Sequence, residues 1–241
     1  MLKFVSMSLL SQIKRDLREG ANPEKATILQ RFFKTGKGQY GEGDHFLGIP
    51  VPEQRRVARK YPALPLRDIK NLLASKIHEH RLTALLLLVH KYQKADDSEK
   101  KEIVVFYLRN TSSVNNWDLV DLSADKILGC YLFDKDKAVL YKLAGSKNIW
   151  ERRIAILSTF HFIKSNRFQD TLKISEILID DEHDLIHKAV GWMLREIGKR
   201  DEKIEESFLK KHYKRMPRTM LRYAIEGFNE KKRKSYLKNL V

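Results

Sequence analysis

Cysteine is almost absent from this chain. Cys130 is the single one, so an intrachain disulfide is impossible and a zinc site built on two or four cysteines is excluded. Its apolar setting, Ile127-Leu128-Gly129-Cys130-Tyr131-Leu132, predicts a small core residue, and the lack of a disulfide fits a reducing, cytoplasmic environment. Long apolar runs are missing as well. The longest, Ala84 to Val89, is far too short to span a bilayer, so no membrane partner is expected. The start, Met1-Leu2-Lys3-Phe4-Val5-Ser6-Met7, lacks the apolar stretch and small-residue cleavage pattern of an export signal. Met7 offers an alternative start, with residues 1–6 expected to be frayed. Glycine and proline are scarce, 11 and 6 of 241 residues, and lie mainly between the apolar-periodic stretches. The eight histidines form no metal-ligand set. His78 and His80 fall on different helix faces, and His183 and His187, four apart, lack a third ligand. No metal and no cofactor are expected.

What the chain has in excess is positive charge. Lys and Arg number 47 against 31 Asp and Glu, a net of +16, with a pI of about 9.8. A basic balance of this size favours a polyanion partner, nucleic acid ahead of an anionic membrane surface. A merely solvated basic face is the plainer alternative. The excess is spread along the chain rather than gathered in one tail, as a long groove following a phosphate backbone requires. The run Lys231-Lys232-Arg233-Lys234 looks like a targeting signal but reads better as one face of a helix.

The apolar residues recur at helical spacing almost throughout, and no strand pattern competes. Helices are predicted at 7–19, 23–35, 52–60, 66–75, 78–95, 98–110, 115–132, 135–145, 149–165, 169–180, 184–199, 202–214, 217–227 and 229–239. Anchors at Arg81, Trp117, Arg153, Lys188 and Arg222 are separated by 36, 36, 35 and 34 residues. A period of this length filled by two helices predicts an all-α fold, an α-solenoid or superhelix of helix pairs whose inner helices line a concave basic groove, built as one domain over 1–241. One segment breaks the pattern. Thr35 to Asp44 holds four glycines and predicts a structured connector, but it does not match the phosphate-loop spacing.

Within the helix at 115–132, Trp117 and Asp121 stand four apart and share a face. An indole beside a carboxylate can stabilise a positive centre that forms during a reaction. Burial statistics alone leave Trp117 as readily core as site. Trp150 reads as a core residue, and Asp118 as a first-turn carboxylate facing the helix dipole.

Three segments carry a resemblance: Asn116-Trp117-Asp118-Leu119-Val120-Asp121, Asn148-Ile149-Trp150-Glu151-Arg152-Arg153, and Lys188-Ala189-Val190-Gly191-Trp192-Met193-Leu194-Arg195-Glu196. With Tyr40 to Ile49 and Met216-Pro217-Arg218-Thr219, they resemble the AlkD-type DNA alkylation repair family from about Asn22 to Phe228. The resemblance implies HEAT-like repeats on duplex DNA. It also implies a glycosylase that removes cationic alkylpurines, 3-methyladenine and 7-methylguanine, without flipping the base and leaves an abasic site. Matched segments would place the catalytic carboxylate on Asp121 and the active-site tryptophans on Trp117 and Trp192. Backbone-holding arginines would be Arg153 and Arg195, with Lys188 and Phe32 also against the DNA. Phe32 stands where some relatives have Tyr, and Asn116-Trp117 where some have paired tryptophans. A monomer associated with the nucleoid is the expectation. The alternative is a non-catalytic relative that recognises duplex or damaged DNA through the same face. Arg153 and Arg195 read equally as surface ion-pair partners, Arg195 for example with neighbours of Asp121.

Overall fold

The computed structural model describes residues 7–240, so the expectation for residues 1–6 lies outside it. The described chain is helical throughout, and its β pairing is limited to an isolated parallel bridge between His45 and Ile77. None of the described helices is long and apolar enough to cross a membrane. The helices divide into two compact units at the Ser123–Ala124 bond.

The first unit holds α1 (Leu9–Glu19), α2 (Pro23–Phe32), α3 (Val51–Lys60), α4 (Leu66–Leu73), α5 (His78–Lys94), α6 (Asp97–Arg109) and α7 (Trp117–Asp121). Local chemistry sets the starts. The Asn22 side chain accepts from the Lys25 amide, with Pro23 in the first turn. Asp96 and Glu99 form a reciprocal capping box on α6. α5 is the centre of the unit, with α3 and α4 packed along it. Its buried residues include His78, Glu79, His80 and Arg81 as well as Leu82 to Val89. A helix buried on nearly every side must pair its polar residues, and that requirement shapes the site described below.

The second unit holds α8 (Cys130–Leu132), α9 (Ala138–Ala144), α10 (Ile149–Ser158), α11 (Phe160–Lys164), α12 (Gln169–Ile177), α13 (Asp184–Gly198), α14 (Glu202–His212), α15 (Arg218–Ala224) and α16 (Glu230–Leu237). α13 is its centre, packed against α10, α14 and most closely α15. Gly191 permits that approach: a Cβ there would lie 2.4 Å from the Met220 carbonyl oxygen.

Two expected helices are broken. The stretch 115–132 ends as an α-helix at Asp121 and resumes through a π-helical turn, Asp125–Gly129, before α8. The Ser123 hydroxyl donates to the Leu119 carbonyl and meets the Tyr107 hydroxyl, drawing the backbone out of regular helix. Asp121 is therefore the last residue of a short helix, not a mid-helix residue. The stretch 149–165 breaks at Thr159, whose hydroxyl donates to the Ile156 carbonyl. Cys130 is half-buried rather than a core residue. The run 231–234 is helical, as part of α16, with Lys232 paired to Glu202 and Glu206.

The repeat has a structural register. Ser75 Oγ accepts from the Ile77 amide, and Arg81 Nη1 donates to the Ser75 carbonyl at 3.0 Å. Ser146 Oγ accepts from the Asn148 amide, and Arg152 Nη1 donates to the Ser146 carbonyl at 3.0 Å. Asp181 Oδ1 accepts from the His183 amide, and His187 Nε2 donates to the Asp181 carbonyl. Each turn is thus clamped by the residue six positions on. The clamps are Arg81, Arg152 and His187, one residue before the expected anchors Arg153 and Lys188. Trp117 lies 36 residues after Arg81 and 35 before Arg152, at the clamp position of the intervening repeat.

A candidate active site in the first unit

α7 is five residues long, too short to hold its own shape in water. Burial and capping hold it. Leu119 and Val120 are fully buried, and Asn116, also fully buried, accepts the Trp117 amide on Oδ1 at 2.8 Å. Asp118 Oδ1 accepts from the Leu119 amide at 2.8 Å. The remaining oxygen of Asp118 accepts from His78 Nε2 at 2.8 Å. The expected first-turn role of Asp118 is thus joined to a tertiary one.

His78 opens α5 and is 2 % exposed. Its Nδ1 faces Asp44 Oδ2 at 3.2 Å, so one imidazole lies between two carboxylates. Asp44 Oδ2 also accepts from Arg81 Nη2 at 2.6 Å and Asn116 Nδ2 at 3.3 Å. Asp44 ends the glycine-rich connector, which is therefore tied to α5 and to the start of α7. Burial works against the charged imidazole. The hydrogen bond and charge of Asp118, then the hydrogen bond of Asp44, outweigh it and raise the His78 pKa to about 9. Burial likewise opposes ionisation of Asp44, but His78 and Arg81 hold its carboxyl below the usual range.

Next to His78, Glu79 accepts three backbone N–H groups, from Leu47, Gly48 and Ile49, at 2.8–3.3 Å. That nest requires φ of 83° at Gly48. A Cβ there would lie 2.1 Å from the Asn22 carbonyl oxygen, at the start of α2.

Aromatic rings complete the site. Trp117 is stacked on Phe33, with centroids 5.0 Å apart and planes 10° from parallel, and Phe32 meets it edge-on at 5.9 Å. Phe46 is stacked on His78 at 4.5 Å. Such pairs contribute about 0.5–1.5 kcal/mol each beyond area burial. Together with Leu29, Val51 and Leu82 these rings line a cavity of about 300 Å³, and Asp118 and Asp121 lie in its wall. Trp117 and Asp121, both half-buried, thus share one cavity. Phe32 is 62 % exposed, so its ring stands on the surface at the cavity's edge.

The other candidate residues belong to the second unit. Trp192 is half-buried on α13, donates from Nε1 to Glu196 Oε1 at 3.3 Å, and packs against Phe160. Arg195 pairs with Glu226. Lys188 pairs with Asp184 one turn back, at 2.7 Å. Arg153 is buried and donates to the Leu185 carbonyl at 2.5 Å. Trp150 is buried, as a core residue would be. His183 caps α13 through Nδ1 and His187 clamps the preceding turn, which gives both imidazoles backbone partners.

The family model for DNA alkylation repair enzymes matches residues 13–228. The chain belongs to that family. As a DNA alkylation repair protein it is similar to a predicted DNA alkylation repair enzyme from Enterococcus faecalis, at 20% identity and TM-score 0.68, over 87% of this chain and 97% of that one. It is also similar to AlkD2 from Streptococcus mutans, at 18% identity and TM-score 0.55, over 86% and 98% of the two chains. The protein smu.31 from Streptococcus mutans UA159 aligns at 18% identity and TM-score 0.52, over 92% and 99%. These likenesses show a shared helical repeat fold. No curated protein matches the chain.

In this repair protein, sequence reasoning missed Asp44, His78, Phe33 and Phe46. One signal was available. His78-Glu79-His80-Arg81 leads directly into a helix apolar on all sides, so these polar groups had to be buried and paired.

Proposed function

We propose that this protein is a DNA glycosylase that hydrolyses the N-glycosidic bond of cationic alkylated purines, 3-methyladenine and 7-methylguanine, and leaves an abasic site. The observation that carries this reading is the pairing of Asp121 with Trp117 in the wall of one aromatic cavity. Ordinary glycoside hydrolysis needs a second carboxyl group to protonate the leaving group. An N3- or N7-alkylated purine already carries the positive charge and departs as a neutral base. One carboxylate then suffices: Asp121 stabilises the sugar oxocarbenium ion and orients the attacking water. The Trp117 indole face favours the same cationic centre by on the order of 1–2 kcal/mol. We assign the same aromatic role to Trp192, a phosphate-holding role to Arg195 and Lys188, and surface contact with the duplex to Phe32. Arg153, committed to the Leu185 carbonyl, would serve the backbone contact by holding the start of α13.

The cavity wall also bears on base flipping. Glu79 is filled by three amides and Asp118 by His78 and the Leu119 amide. Apart from Gln54 and Asp121 the rest of the wall is mainly rings and aliphatic side chains, a poor match for a purine's Watson–Crick edge, which supports attack on a base left in the duplex.

The test is incubation with a defined 7-methylguanine duplex at enzyme excess, with assay of free base and abasic sites. Release well above background is expected; none would overturn the reading. Tight binding without release would leave the non-catalytic alternative in its place. In either case duplex affinity is expected to fall steeply with salt, by about 10³-fold or more between 50 and 200 mM if six or more phosphates are neutralised. An affinity unchanged across that range, measured by fluorescence anisotropy, would reject DNA as the partner of the +16 charge.

A further inference from the structure

We propose that His78, as an imidazolium held between Asp44 and Asp118, is the positioning residue that fixes Trp117 and Asp121. Its value for catalysis rests on the function proposed above; the positional claim does not.

Two physical links lead from this ring to the candidate catalytic pair. The first runs through the backbone. α7 cannot hold its shape alone, and two polar ties at its start end on one assembly: Asp118 on His78, and Asn116 on the Asp44 carboxylate that His78 also meets. The second runs through stacked rings. His78 lies 4.9 Å from Phe33, and Phe33 is stacked on the Trp117 indole. One side chain thus sets both the helix that carries Asp121 and the face of Trp117.

The charge follows from the partners. Ionised carboxylates only accept, so contacts of 2.8 and 3.2 Å to Asp118 and Asp44 require an N–H on both ring nitrogens. A neutral imidazole has one. Its bare nitrogen would face a carboxylate in a dry site, and that contact would open. The charged groups facing the ring are Asp44 from the connector, Asp118 from α7, and Arg81 from its own helix, whose Nη2 lies 3.5 Å from Nδ1. Glu79 and Asp121 line the same cavity, and the end of α2 is followed by the uncharged Phe33. The pKa of this group is raised on folding, so its contribution is present below the ordinary value of 6.5 and is lost as pH rises through about 9.

The test uses the full chain labelled with 5-fluorotryptophan, its three ¹⁹F resonances assigned by single Trp→Phe variants. From about pH 7 to about pH 10, the Trp117 resonance is expected to move in one step centred near 9, with Trp150 and Trp192 unchanged. Single-turnover base release at saturating enzyme should fall on the same step. Asp118→Asn is the decisive variant. Its amide can donate to the bare Nε2 of a neutral ring while Nδ1–H still serves Asp44, so the network closes without the charge. In that variant the step should vanish from both readouts. His78→Gln should lower the saturated rate roughly tenfold or more while duplex affinity stays unchanged. A flat Trp117 resonance in the wild type, or a wild-type step retained in Asp118→Asn, would overturn the proposal. A protein that releases no base yet shows the step and its loss in Asp118→Asn would sustain the positional role and defeat only the function.

Discussion

Asp121→Asn is expected to lower the saturated, single-turnover rate of 7-methylguanine release by about two to three orders of magnitude, with duplex affinity unchanged. The substitution is nearly isosteric, so packing and the cavity wall persist. What it removes is the negative charge beside the breaking bond. Groups aimed at charge that develops in a transition state are typically worth about 10²–10³ in rate, or roughly 3–4 kcal/mol. The substrate is cationic before reaction, so some of the Coulomb term is also present in the ground state. The rest appears only as charge moves onto the sugar. Binding should not weaken, because most duplex affinity comes from phosphate contacts rather than from one carboxylate. The check is rate and anisotropy on the same duplex. Turnover within a few-fold of wild type would remove Asp121 from the mechanism. A loss of rate matched by an equal loss of affinity would mark a positioning or binding role instead.

Gly48→Ala should destabilise the protein by about 2–4 kcal/mol, a large share of a domain's net stability. Two costs coincide there. A φ of 83° lies where side chains are strained, and the new Cβ would fall 2.1 Å from the Asn22 carbonyl oxygen. Any shift that relieves the clash moves the Gly48 amide from Glu79, leaving part of a buried carboxylate without its donors. Gly227→Ala is the control, because a Cβ there meets nothing within 4 Å. It should be neutral or stabilising by up to about 1 kcal/mol. Urea unfolding of the two variants measures both. Equal midpoints would show that the connector between α2 and α3 does not depend on the close approach at Gly48.

Much of the fold was legible in the chain because helical periodicity is a local signal. The sixteen α-helices of the described residues fall largely where the apolar spacing places them, and the caps at Asn22 and Asp96 are read from adjacent residues. The misread stretches share one cause. Ser123 and Thr159 carry hydroxyls that bond back to a carbonyl of the preceding turn, a choice that apolar spacing cannot express. The repeat period was also legible, but its register was not. Arg152 and Arg153 are both basic, and only the bond to the Ser146 carbonyl separates the clamp from its neighbour.

The site divides the same way. Trp117 and Asp121 were linked by helix geometry four residues apart, and the matched segments marked them for chemistry. Nothing local could have joined them to Asp44 or His78, which lie 72 and 38 residues from Asn116 in the chain. By itself the sequence determined an all-helical chain of repeats, its basic charge, its family and its aromatic–carboxylate pair, because composition and spacing are properties of the chain. Only the tertiary structure decided that Phe33 faces Trp117 and that one buried imidazole spans two carboxylates. Those outcomes depend on which side chains packing removes from water together, and a buried carboxylate must find its partner wherever the fold has brought one.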